Sequence, residues 1–145
     1  MTPQEAAVVL GKCAAYDNRR PDPATTAAWA EALDPNLTLA DALAIVRDHY
    51  AESRDWIMPA DINHRSRDIR RQRIKNALDN QTLTPDGLGD EPHLEIAWKK
   101  ALMQGLGDGL DLDAASSAAW RAIGRTPPPE LETHHHDIRP QLRKA

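Results

Sequence analysis

Six cations, Arg65, Arg67, Arg70, Arg71, Arg73 and Lys75, fall between Pro59 and Leu78 in a 145-residue chain whose formal net charge is −4. Arg67, Arg71 and Lys75 follow i, i+4, i+8 spacing with Arg70 beside them, so on a helix they make one positive line. Such a line can neutralise successive phosphates or enter an acidic protein groove. The plainer alternative is a solvated face balanced by acids elsewhere. A net negative chain lacks the global field of a dedicated DNA binder, which makes the line a local contact surface. Nucleic-acid or acidic-partner binding is therefore expected at Arg67, Arg70, Arg71 and Lys75.

A second constellation, Trp98, Lys99, Leu102, Met103 and Leu106, is an amphipathic stretch whose tryptophan and methionine are residue types that anchor partner grooves. Trp98, Leu102, Met103 and Leu106 are the expected protein-partner contact. Folding back onto the preceding helices is the competing outcome for the same residues.

Signatures of catalysis are missing. Gly105-Leu106-Gly107-Asp108-Gly109 is not followed by the lysine and hydroxyl residue of a phosphate-cradling loop, and reads as a helix end followed by a turn. His134-His135-His136 are adjacent residues next to a proline-rich stretch, which cannot preorganise three ligands around one ion. His49, His64 and His93 are expected to be surface or half-buried packing residues with no catalytic part. Cys13, the single cysteine, excludes an intrachain disulfide and a cysteine zinc cluster, and its place in a helical pattern fits a small buried thiol. A non-enzymatic protein is expected, with no catalytic residue, metal, cofactor or small-molecule substrate.

The elements that must position these residues are helical. Thr2-Pro3-Gln4-Glu5 is a capping box with a first-turn proline, and it opens a helix to about Tyr16 with Val9, Cys13 and Tyr16 facing inward. Asp17-Asn18-Arg19-Arg20-Pro21 stops it. Asp22-Pro23 opens a second helix, to about Leu33, and Thr38 caps a third in which Leu39, Leu43, Val46 and Tyr50 form the stripe, flanked by Ala42, Ile45 and His49. Trp29 and Trp56 are the expected bulkiest core residues, and Trp56-Ile57-Met58 is expected to tuck beneath the third helix.

Pro59 opens the fourth helix. Ile62 and Ile69 lie nearly in line at about 100° per residue, but Ile74 and Leu78 fall roughly 140° away, on the line of Arg67 and Arg71. One flat surface cannot cover both stripes. Gln81 to Pro92 reads as a linker, Glu95–Leu106 and Asp113–Ile123 as short helices, and the tail from Arg125 as disordered. The expected architecture is all-α: a compact four-helix domain over 1–80, a linker over 81–93, a short helical partner-binding region over 94–124 and a disordered tail over 125–145. No run approaches the roughly 18 apolar residues of a membrane span, and no leader pattern opens the chain. A cytoplasmic protein without membrane contact is expected.

The first part of the chain resembles the phage replicative-helicase loader and inhibitor family. The likeness lies in a leading helix with Glu5, Leu10 and Tyr16, then Thr25-Thr26 with Trp29 and Leu33, then an alanine- and leucine-rich helix from Leu39. It ends in the element Ile57-Met58-Pro59-Ala60-Asp61-Ile62 and covers a little under half the chain. The resemblance implies a compact helical N-terminal domain, a C-terminal region that contacts a replicative helicase, and no catalysis by the loader itself. This chain departs from the family pattern in its arginine-rich fourth helix and its proline-histidine tail. The leading expectation is a non-enzymatic phage or prophage DNA-replication adaptor that loads or inhibits a replicative helicase, with possible DNA contact through the basic helix. The alternatives are a small helical DNA-binding regulator and a phage inhibitor of a host enzyme that docks a helix in a groove.

Overall fold

The computed structural model describes residues 1–78, 83–85, 88 and 90–126, and among these every regular element is an α-helix. The order is α1 (Pro3–Asp17), α2 (Pro23–Ala32), α3 (Leu39–Glu52), α4 (Pro59–Leu78), α5 (Pro92–Asp108) and α6 (Leu112–Ala122). None of these helices is long and apolar enough to cross a membrane. Residues 81, 82, 86, 87 and 89 of the expected linker and the tail beyond Thr126 lie outside the described residues, and Pro92 and His93 already belong to α5.

Local chemistry accounts for the helix ends. Thr2 Oγ1 accepts from the Glu5 amide while the Glu5 carboxylate accepts from the Thr2 amide, a complete capping box. Asp22, Thr38 and Asp111 cap α2, α3 and α6 in the same single-sided way. Asp61 accepts from the Met58 amide at 2.9 Å, which fixes the start of α4. Asn63 on α4 closes the end of α2: its Nδ2 donates to Ala32 O and its Oδ1 accepts from the Asp34 amide, both at 2.8 Å.

Two apolar cores result. The first joins Ala6, Val9, Leu10 and Cys13 of α1 to Trp29, Leu33, Leu37, Ala42, Ile45, Val46, Ile57 and Ile62. The second joins Leu88 to Trp98, Leu102 and Leu106 of α5 and to Ala115, Ala119 and Trp120 of α6. Gly105 lets α5 and α6 approach closely, since a Cβ there would lie 3.2 Å from Ala115 Cβ.

Helix α4 serves both cores, which answers the divergence of its stripes. Ile62 and Ile69 pack on the first core, whereas Ile74, Ala77 and Leu78 pack on the second. The stretch that the sequence leaves free to fold back or to meet a partner is folded back on α4 here.

Several expectations need correction. Trp56 is 60% exposed, not a core residue, and of Trp56-Ile57-Met58 only Ile57 is buried. Tyr16 is 49% exposed, because α1 ends there and its ring stacks on Tyr50 instead of entering the core. On α3 the buried residues are Asp41, Ala42, Ile45, Val46 and His49, with Leu39, Leu43 and Tyr50 only partly buried. The buried line is rotated toward the smaller side chains, which permit close packing on α1. Helix α5 also exceeds the short segment expected, running 17 residues to Asp108 with Gly109 as its left-handed cap at φ 97°.

Trp98 packs against Trp120 with ring centroids 5.9 Å apart, and its indole N–H is buried with no hydrogen-bond partner among the described residues. Its contribution is therefore apolar contact. Trp98→Ala is expected to cost about 3–5 kcal/mol in urea unfolding, whereas Trp98→Phe, which keeps an aromatic ring and sacrifices no hydrogen bond, should cost clearly less.

Candidate functional site on helix α4

Five of the six cations of α4 divide into two sets. Arg73 turns inward and forks onto Asp41 of α3, with Nη1 and Nη2 donating to the two carboxylate oxygens at 2.8 and 2.7 Å. The same Nη1 donates to Gly107 O of α5 at 3.1 Å. Arg70 donates to Asn36 O at 3.2 Å and pairs with Asp108. Its guanidinium lies close against Gly107 of α5, where a Cβ would be 2.7 Å from Nη2. The Arg73 hydrogen bonds hold the Asp41 carboxyl below its ordinary pKa against the opposing effect of burial.

Arg67, Arg71 and Lys75 form the outer set, and all three are exposed. Arg67 Nε donates to Asn63 O one turn back at 3.1 Å, and Arg71, with 75% of its side chain exposed, pairs with Asp68 in the same helix. Their rise of about 6 Å per step follows from four residues of α-helix. Arg67, Arg70 and Arg71 border a shallow depression with Ile74. Four expected anion-binding residues thus share one helix, but Arg70 is paired with Asp108 across to α5 and Arg71 with Asp68 on α4 itself.

The expected protein contact is distributed differently. Trp98, Leu102 and Leu106 are buried in the second core, and Met103 alone of the four remains at the surface. On the opposite side of α5, Ile96 is 69% exposed and stands seven residues before Met103, with Lys100 between them. Those positions share one helix face.

A second polar centre escaped the sequence reading. Asp17 and Arg19 do more than stop α1: their side chains are buried together at its end, with 4% and 8% exposed. Arg19 Nε donates to both Asp17 oxygens at 3.0 and 2.8 Å, and Nη2 donates to Ile57 O at 3.1 Å. Tyr50 Oη donates to Asp17 as well. The guanidinium sits 5.3 Å from the Trp29 ring centroid and 4.9 Å from that of Trp56. No periodicity marks this cluster, since its members come from a helix end, a turn and three other segments.

Among the described residues, no group of three or more His, Cys, Asp or Glu is placed to hold a metal ion. His134, His135 and His136 lie outside them. Searches of family models, curated proteins and solved structures find no match for this chain.

Burial alone would raise the Asp17 pKa, but the hydrogen bonds from Arg19 and Tyr50 outweigh it and bring the carboxyl to about 2, from an ordinary value of 3.8. A carboxyl depressed on folding stabilises the fold above its unfolded pKa and loses that contribution as pH falls through the folded one. Stability measured by thermal unfolding should decline between about pH 4 and 2, and the Asp17→Asn variant should decline less over that window. Burial raises the Cys13 thiol to about 11, so a thiol reagent at pH 8 should label the native protein far more slowly than the urea-unfolded chain.

Proposed function

We propose that this protein is a non-enzymatic DNA-replication adaptor of the phage helicase loader or inhibitor kind, which meets an anionic partner along the outer line of α4. The observation that carries the anionic contact is the sorting of cations. Arg70 and Arg73 are committed to Asp108, Asp41 and the α5 backbone, while Arg67, Arg71 and Lys75 remain in one exposed row. Surface charges that are not needed to join helices, set at regular helical steps, suit a row of phosphates.

The replication assignment is supported by the resemblance carried by Glu5, Leu10, Tyr16, Thr25-Thr26, Trp29, Leu33 and the Ile57 to Ile62 element. The helicase contact, expected in the C-terminal part, is best supplied by the exposed Ile96, Lys100 and Met103 face of α5. Trp98, Leu102 and Leu106 can contribute to it only if α5 leaves α4, which would expose Ile74 and Leu78 in turn.

Titration of a fluorescein-labelled duplex DNA at stepped salt concentrations tests the outer line. Three phosphate contacts predict a log–log slope of about −2.7. Arg67→Glu, Arg71→Glu and Lys75→Glu together should abolish binding and leave helicity near the parent value, because exposed charge changes seldom cost much stability. Equal binding by the triple variant, or a salt-independent affinity, would reduce the line to a solvated face.

A further inference from the structure

Trp56 is held at the surface by a device. Its ring covers the Arg19 guanidinium, and Arg19 is itself fixed by Asp17, Tyr50 and Ile57 O. A buried ion pair is a costly way to stabilise a fold, because both charges must leave water. What this pair achieves is the placement of an indole that stays 60% exposed. Tyr16 is fixed nearby in the same manner, stacked on Tyr50 with centroids 4.9 Å apart and planes 19° apart, while remaining 49% exposed.

Between them lies a cleft of about 370 Å³, bordered by Tyr16, Asp17, Tyr50, Ser53, Arg54 and Trp56. Tryptophan, tyrosine and arginine are the residue types that dominate contact energy at protein interfaces. Rigid rings also lose little conformational freedom when a partner lands on them. Asp17 is fully compensated by Arg19 and Tyr50. Arg54, in contrast, is exposed and makes no hydrogen bond or ion pair with any described residue. The cleft therefore offers one free positive charge beside two apolar rings.

We infer that this cleft docks a segment of a partner protein in which an aliphatic or aromatic side chain stands next to a single Asp or Glu. The apolar group covers the outer face of Trp56 and reaches toward Tyr16, and the carboxylate pairs with Arg54. A nucleic-acid strand fits less well. Its phosphates form a string of charges, whereas among the described residues bordering the cleft Arg54 is the one cation without a partner, and exposed Glu52 and Asp55 flank it in the chain. The inference concerns a different surface from the outer line of α4 and does not depend on it.

The test is selection of a displayed 12-residue peptide library on the full immobilised chain, followed by affinity measurement of the most enriched peptide. The expected consensus is an acid adjacent to a large apolar residue. Trp56→Ala and Arg54→Glu should each weaken the peptide by roughly tenfold or more, with circular dichroism unchanged because both side chains are exposed. Arg54→Glu should also regain binding to the peptide whose acid is replaced by lysine, an exchange that a merely structural role would not produce. Failure to enrich any peptide, a consensus without an acid, or full affinity in both variants would overturn the inference.

Discussion

The structure depends on one constraint in α4: a helix whose apolar residues change side halfway along cannot be covered by a single partner surface. Ile62 and Ile69 commit the first half to α1 and α3, and Ile74, Ala77 and Leu78 commit the second to α5 and α6. The crossover lies between Ile69 and Ile74, where Arg70 and Arg73 stand. There the backbone of α5 presents its C-terminal carbonyls, and the last turn of α5 has no basic residue of its own. Arg70 and Arg73 supply from α4 the positive charge that a helix C-terminus favours. They also reach Asn36 and Asp41 on the other side, so the same pair of guanidinium groups ties the two cores together.

Arg19 repeats that use of arginine. Its planar donors satisfy Asp17, Tyr50 and a main-chain carbonyl at once while its faces lie against Trp29 and Trp56. In this chain a count of arginines overstates the cationic surface, since several of them work as internal cross-links. The consequence is a narrower basic surface on α4, where Arg67, Arg71 and Lys75 are the exposed cations, and an exposed aromatic pair that charge counting would pass over.

The helix starts were legible because capping chemistry is local: Thr2, Asp22, Thr38 and Pro59 each announce themselves within four residues. The divergence of the α4 stripes was legible from helical angle alone. Angle also held a clue that charge obscured. Arg73 lies eleven residues after Ile62, within about 20° of the same line, so its position faced the core. The rank order within α3 was not legible, since Leu43 and Ile45 are equally apolar and only the close approach of α1 decides between them. Trp56 misled because size suggests burial, while its environment is set by Arg19, distant in sequence. For Trp98 and Leu102, amphipathicity shows that a cover is needed but not whose residues provide it.

Native-state hydrogen exchange, read along α4 in the full chain, tests most directly whether this helix is shared by two cores. The account predicts that amides from Arg70 to Leu78 are protected to the level of α5 and α6. In Leu102→Ala, protection should fall together across these three segments while α1 to α3 retain theirs. Rapid exchange from Arg70 to Leu78 in the parent protein, with α5 and α6 still strongly protected, would contradict the account.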